Sequence, residues 1–282
     1  MLLPVRIHSW GGLGSQLYAL ALSIDLETKV LHRKYIFINH TSGTSKRLPE
    51  ILFYTRNIKL IDDYVINEQH NKAKSQANHN IKKFIKKLIT STGFYAECNS
   101  DKDFQLVKPW VTVIRGHYSH RQVSMKSITH IFQEIQNSYS RSHISNQERK
   151  MSFHYRLGDL EVISEKSPIR FDSIQRKISE IISIYDYQIL NLYSDTPVLA
   201  LQRLNNSDLK VSIKYEDKST LEMIYECVMS ETFVGTNSKI SFWVAIFRSK
   251  FKTKGSTYLP LEIKHMMDFQ NELVINHEIN YY

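Results

Sequence analysis

Residues Phe171–Leu204 read FDSIQRKISEIISIYDYQILNLYSDTPVLALQRL. In the first half, Ile174, Ile178, Ile181 and Ile182 fall on one face at helical spacing, so Phe171–Tyr185 is predicted to be an amphipathic helix. QILNLYSD (Gln188–Asp195) follows as an apolar run too short for a helix, which predicts a buried strand. PVLALQRL (Pro197–Leu204) then returns to helix. The same alternation extends in both directions. MSFHYR (Met151–Arg156) is a strand before it. After it come KVSIKY (strand), STLEMIYECVMS (helix), TFVGT (strand), SKISFWVAIFRS (helix) and STYLP (strand). Strands alternating with helices predict a parallel sheet covered on both faces. Ligands of such sheets bind at the carboxyl ends of the strands.

The amino-terminal half repeats the pattern less regularly. Val5–His8 and Tyr35–Ile38 read as strands, VTVIR (Val111–Arg115) as another, and Gln16–Lys29 as a helix. The stretch from Asn67 to Ser100 is polar and poorly periodic. A polar stretch at Ser138–Arg149, SYSRSHISNQER, predicts a boundary between two α/β domains, residues 1–145 and 146–282. The chain of 282 residues is long enough for two cores. The start, MLLPVRIHSW, has neither the basic region nor the long apolar core of a secretory signal, and no run of about 18 apolar residues suggests a membrane span. Only two cysteines, Cys98 and Cys227, are present, so a disulfide framework is excluded and a reducing, cytoplasmic setting is expected.

Four stretches carry candidate chemistry, each at a strand end. The first is SWGGLGSQL (Ser9–Leu17), where glycines separate a strand from a helix. Gly12 and Gly14 fit two positions of a dinucleotide fingerprint, but Leu17 stands where the third glycine belongs, and the second strand ends in Asn39 with no acid for a ribose. A dinucleotide oxidoreductase is therefore disfavoured. What remains is a close-approach turn whose helix start offers N–H groups to an anion. The second stretch is FHYRLGDL (Phe153–Leu160). Alternation places His154 and Arg156 on one face, and Gly158 permits a sharp exit. The planar guanidinium of Arg156 suits a phosphate, or it staples the loop through Asp159. The third is YSD, in which Ser194 and Asp195 end a strand, as phosphate neighbours or as a helix cap. In the fourth, FVGTNSKISF, the small polar residues Gly235, Thr236, Asn237 and Ser238 precede a helix. Phe242 and Trp243 read as core.

The net charge of +9 favours anionic partners. No basic strand interleaved with aromatics and no recognition helix is visible, so nucleic acid is not the expected partner. Asp101 and Asp103 form an Asp-x-Asp pair with no apolar strand before it, which predicts a solvated loop rather than a metal site. His117 and His120 lack further ligands at standard spacing. No metal is expected. In IKKFIKKL, Ile81, Phe84, Ile85 and Leu88 form an apolar face, opposite Lys82, Lys83, Lys86 and Lys87. Such a helix either packs on the core with solvated lysines or rests on an anionic membrane surface.

In order and spacing, these stretches resemble the alpha-1,2-fucosyltransferase family. GGLGSQLYALAL is similar to that family's Gly-Gly-Leu-Gly-Asn-Gln-Leu-Phe opening, HYRLGD to His-x-Arg-Arg-Gly-Asp, YSD to Phe-Ser-Asp-Asp, and NSKISFWVAIF to Asn-Ser-x-Phe-Ser-Trp-Trp; RGHYSHRQV faintly echoes Gly-Tyr-Phe-Gln-Ser. The resemblance runs from Gly11 to about Phe247. It implies two Rossmann-like domains facing each other across a cleft, the GT-B type. The implied reaction is an inverting, metal-independent transfer of fucose from GDP-fucose to a glycan hydroxyl in surface polysaccharide assembly; the membrane reading of Ile81–Leu88 would suit a lipid-linked acceptor at the inner face. GDP-fucose would be a co-substrate, and no cofactor is implied. By the same resemblance, Arg156 holds the donor diphosphate with His154 and Asp159 beside it. Ser194, Asp195, Asn237, Ser238 and Ser241 lie near the nucleotide, and Gly12, Gly14 and Gln16 face it. Asp159, Glu161, Glu165, Asp25 and His154 are all open as the acceptor base, with Asp159 taken as the candidate. The chain departs from the family pattern at Ser15, Leu157, Leu160 and Thr196; Leu157 replaces its second arginine.

Overall fold

The computed structural model describes residues 4–29, 36–41, 50–51, 59–62, 88, 90–139, 150–158, 171–207, 209–251, 254–268, 270 and 279–282. The chain divides into two compact units, Met1–Ile131 and Phe132–Tyr282.

The first unit is built on a parallel sheet of five strands: β1 (Val5–Trp10), β2 (Ile36–Thr41), β3 (Lys59–Asp62), β4 (Tyr95–Glu97) and β5 (Val113–Arg115), in the order β3-β2-β1-β5-β4. Along β1, Val5, Ile7 and Ser9 are buried and Arg6 is exposed, the alternation of a pleated strand. Helix α1 (Leu13–Lys29) follows the glycine turn. It begins earlier than its apolar run predicts, so Gly14 lies in its first turn. The run Leu17–Leu22 is buried all round, as befits a helix enclosed by its unit. Strand β4 lies inside the stretch that reads as polar and aperiodic. Asp101 and Asp103 are not in a loop: they open helix α2 (Asp101–Leu106), where Ser100 caps the Asp103 N–H. Helix α3 (Met125–Tyr139) buries Ile128, Ile131, Phe132 and Ile135, a helical stripe that the sequence reading overlooks.

Asp25 ties α1 to the start of α3. Its carboxylate accepts from Arg121 Nη2 at 2.5 Å, Ser127 Oγ at 2.5 Å and Ser124 Oγ, and both members of the ion pair are about 95% buried. Ser124 in turn accepts the Ser127 N–H, capping α3. Asp25 is thus a fold residue, not an available base.

The second unit carries six parallel strands: β6 (Met151–Tyr155), β7 (Ile189–Ser194), β8 (Ser212–Tyr215), β9 (Thr232–Gly235), β10 (Ser256–Leu259) and β11 (Ile279–Tyr281). Their order is β11-β10-β9-β6-β7-β8. Read from β8, this is 3-2-1-4-5-6, the doubly wound order of dinucleotide folds. The expected fold class, Rossmann-like α/β with parallel sheets, is what both units display. Strand β6 is buried on both faces, as a central parallel strand must be. On one face Phe153, Tyr155 and Leu157 pack with Ile174, Ile178, Ile181 and Ile182 of helix α4 (Phe171–Tyr185) and with Ala200 and Leu204 of helix α5 (Pro197–Asn205). Helix α6 (Thr220–Met229) opens with a capping box, Ser219 and Glu222. Helix α7 (Lys239–Phe251) is buried along nearly its whole length, Phe242 and Trp243 included.

Arg248 on α7 is fully buried and acts as a clamp. It donates to the carbonyls of Cys227, Val228 and Ser230 at the end of α6, to those of Glu231 and Ser256, and to Thr257 Oγ1. The carboxyl end of a helix carries partial negative charge, which favours a cation there. Cys98 and Cys227 are both buried and do not form a disulfide with each other. Among the described residues, no helix is long and apolar enough to cross a membrane. Short helix α8 (Lys264–Asp268) lies between β10 and β11.

Candidate functional site

In the second unit the strand order reverses between β6 and β9: β6 connects onward to β7 on one side, while β9 lies on the other. Ligands of doubly wound sheets bind outside the carboxyl ends at such a reversal. The residues leaving β6 are Arg156, Leu157 and Gly158; those leaving β9 are Thr236, Asn237 and Ser238.

Thr236 knits the two strand ends together. Its hydroxyl accepts the Arg156 N–H at 2.9 Å and donates to the His154 carbonyl at 3.0 Å. Its own N–H donates to Ser241 Oγ at 3.2 Å, and Ser241 Oγ lies 2.9 Å from His154 Nδ1. Ser241 Oγ thus bridges the Thr236 N–H and the His154 ring. Burial, then the Arg156 charge, pull the His154 pKa down to about 4, and Asp195 opposes them. His154 is therefore neutral at pH 7. It is 6% exposed and Ser241 is fully buried, so this pair forms the floor of the site.

Arg156 alternates with His154 along the chain but projects past the strand end. Its Nη1 lies 2.9 Å from Asp195 Oδ2, with side-chain exposures of 20% and 24%. Asp195 also accepts the Leu157 N–H through Oδ1 at 3.1 Å. The carboxylate thus fixes both the backbone and the guanidinium of the β6 loop. A Cβ on Gly158 would stand 2.1 Å from Asp195 Oδ2, which accounts for glycine there. Leu157, in the place of a second arginine, is 1% exposed and belongs to the core. Asp159 lies outside the described residues.

Ser194 and Asp195 do not cap α5. The cap position is Thr196, with no side-chain cap bond, and Ser194 Oγ accepts the Thr196 N–H at 3.2 Å. Ser238 immediately precedes α7, and its Oγ accepts the Ile240 N–H at 3.1 Å. Asn237 and Ser238 are half-buried at that helix start, where N–H groups and the helix dipole favour an anion. From the far side of β9, Tyr282 donates its hydroxyl to the Gly235 carbonyl at 2.7 Å. Arg156, His154, Asp195, Ser194, Asn237, Ser238 and Ser241 therefore gather at the ends of neighbouring parallel strands. Thr236 and Tyr282 join them; Thr236 stands out in sequence only as a small residue at a strand end, and Tyr282 carries no local signal.

The glycine turn is a feature of the first unit. Gly11 has φ +79°, and the Gly12 carbonyl accepts the N–H groups of Ser15 and Gln16. Gln16 is fully buried; its amide donates to the Gly11 carbonyl at 2.9 Å and accepts the Ile51 N–H at 3.2 Å. Its side chain holds the turn. This turn leaves β1 next to β5, the corresponding strand reversal of the five-stranded sheet.

Among the described residues, no three His, Cys, Asp or Glu side chains converge as metal ligands. Asp103 Oδ2 accepts the Asn99 N–H and the Ser100 hydroxyl, Asp101 Oδ1 accepts the Gln122 N–H, and His117 meets Trp10 edge-on at 5.2 Å. Residues 81–87 of the cationic segment lie outside the described residues; Leu88 is 58% exposed.

No family model matches the chain, and no curated protein is similar to it in sequence. Solved structures are similar in fold. The E. coli heptosyltransferase WaaC with ADP aligns over 99% of this chain and 93% of its own, with 9% identity and a TM-score of 0.51. NodZ alpha-1,6-fucosyltransferase co-crystallized with GDP aligns over 87% and 93%, with 14% identity and a TM-score of 0.49. POFUT1 in complex with GDP aligns over 91% and 98%, with 10% identity and a TM-score of 0.47. The heptosyltransferase likeness, with the two parallel sheets, puts the chain in the GT-B fold class.

Proposed function

We propose that this protein is a glycosyltransferase that takes its sugar from a nucleoside-diphosphate donor, GDP-fucose, and moves it to a glycan hydroxyl in alpha-1,2 linkage. The observation that carries the reading is the Arg156–Asp195 pair at the β6/β9 strand reversal, beside the start of α7. Breaking the sugar–phosphate bond builds negative charge on the diphosphate and positive charge on the sugar. A guanidinium already oriented by Asp195, together with the Thr236–Ser238 segment and the first N–H groups of α7, stabilises that charge as it forms. The same groups supply the positive charge a metal would otherwise bring, which supports a metal-independent transfer. Neutral His154 and Ser241 hold the floor without adding a charge that would compete for the phosphate. Residues 146–282 serve as the donor side and residues 1–145 as the acceptor side. Asp159 is the proposed base for inversion, taking the acceptor proton as the hydroxyl attacks.

The motif resemblance favours GDP-fucose. Leu157 in the core, where the family has a second arginine, leaves other nucleotide sugars as the second reading, and the fold it shares with a heptosyltransferase keeps such donors in the comparison. The setting is surface polysaccharide assembly in the cytoplasm, with Ile81–Leu88 touching the inner membrane face. Pelleting with anionic vesicles should fall when Lys82, Lys83, Lys86 and Lys87 become Glu; equal pelleting would remove the membrane contact.

The test is a panel of GDP-fucose, GDP-mannose, UDP-sugars, ADP-sugars and NAD, read by melting temperature and by sugar transfer to glycan acceptors. A ligand that binds only the native state raises the melting temperature. GDP-fucose should give the largest rise and the only transfer. A rise with another sugar nucleotide would reassign the donor, and a rise with NAD alone would overturn the reading.

A further inference from the structure

The first unit holds a cavity that the proposed transfer does not use. It runs along the outer edge of β4, the last strand of its sheet, with a volume of about 780 Å³. That is ample for a small-molecule ligand. Its walls come from the residues before β4 (Thr90–Gly93), from β4 itself, from α2, and from Lys108 and Trp110 before β5. These leading segments sit at the amino ends of parallel strands, whereas the Gly11–Gly12 turn leaves the carboxyl end of β1. The cavity thus lies along the β4 edge of the sheet, two strands away from the turn that leaves β1.

The geometry points to this cavity as a binding site for a neutral saccharide, distinct from the site of transfer. Trp110 is the central feature. It is 46% exposed, yet its polar edge is fixed: Nε1 donates to the Thr92 carbonyl at 2.9 Å. Gly93 (φ +78°) makes room for it, since a Cβ there would stand 2.9 Å from Trp110 Nε1 and 2.9 Å from Lys108 Cγ. The ring is therefore held by the backbone while much of it stays in solvent. An aromatic face carries negative potential and attracts the weakly positive C–H face of a pyranose ring. Polar groups for sugar hydroxyls line the same cavity. Glu97 and Asp103 accept, Lys108 donates, and the Tyr95 hydroxyl lies 3.4 Å from Glu97 Oε1. Among the described lining residues, two carboxylates stand against one lysine. That balance disfavours a phosphorylated or acidic ligand, whereas the planar guanidinium of Arg156 suits a phosphate. A glycan already being extended is a ligand of this kind, and holding it here would keep the polymer on the protein between transfers.

The test is saturation-transfer NMR on the whole chain with cellotetraose, maltotetraose and N-acetyllactosamine, each with saturating GDP present. At least one sugar should receive transfer at roughly millimolar concentration. Trp110→Ala should weaken that sugar by about tenfold or more while the protein stays folded by circular dichroism. Trp110→Phe, which keeps the ring, should retain most of the binding. The proposal is overturned if no sugar binds, if Trp110→Ala binds as well as the wild type, or if an extended valine–threonine heptapeptide binds through Trp110 in place of the sugars. Failure here leaves donor binding at Arg156 intact, and failure of the donor panel leaves Trp110-dependent sugar binding intact, so the two readings fall separately.

Discussion

Asp195 Oδ2 lies 2.9 Å from Arg156 Nη1, while Asp195 Oδ1 accepts the Leu157 N–H: one carboxylate at the end of β7 positions both the side chain and the backbone that leave β6. This relationship separates orientation from charge. Asp195→Asn keeps an acceptor for Leu157 and removes a negative charge from beside the proposed diphosphate. Turnover should fall about tenfold or more as the guanidinium loses its orientation. The KM for donor should not rise, because a repelling charge has gone. Steady-state kinetics checks this; a raised KM with unchanged turnover would assign Asp195 to ground-state binding.

His154 should make stability depend on pH in a defined window. Its folded pKa, about 4, lies below the ordinary 6.5 because burial disfavours the imidazolium. Between those values the unfolded chain binds the proton and the folded chain does not. Stability is therefore present above pH 6.5 and is lost as pH falls toward 4, by about 3 kcal/mol in all. His154→Gln should flatten that part of the curve, as read by denaturant melts from pH 4 to 7. Parallel curves for the two proteins would contradict the assignment.

Asp25 should prove structural. Asp25→Ala leaves Arg121 charged and buried and removes the acceptor of Ser124 and Ser127. A loss of about 3–5 kcal/mol is expected in denaturant melts. If Asp25→Ala kept its stability but lost turnover, Asp25 would be the acceptor base after all.

The second unit is largely legible in the sequence because each of its elements carries a complete local signal. Ile174, Ile178, Ile181 and Ile182 mark α4, and short apolar runs mark the central strands. The first unit is less so. Strand β4 has three residues, none fully buried, so no alternation can develop. The Asp101/Asp103 pair looks like a loop because its partners, Ser100 and Gln122, are needed to reveal a helix start. In the site, His154, Arg156 and the small residues after β9 are visible as residue types at strand ends. Their partners are not. Arg156 pairs with Asp195 from the neighbouring strand, thirty-nine positions on by sequence numbering, and Thr236 bridges β6 and β9. Such contacts come from sheet order, which local pattern does not encode. The inward turn of Gln16 and Ser241 depends likewise on Ile51 and His154, both distant in sequence.

The most direct test of the diphosphate cradle is calorimetric titration of GDP and of guanosine into the wild type and Arg156→Ala. A charged hydrogen bond contributes about 1.5–3 kcal/mol, so GDP should bind the variant roughly tenfold to a hundredfold more weakly, with guanosine unchanged. Equal GDP affinity in the two proteins, or an equal loss for guanosine and GDP, would contradict a role for Arg156 at the diphosphate.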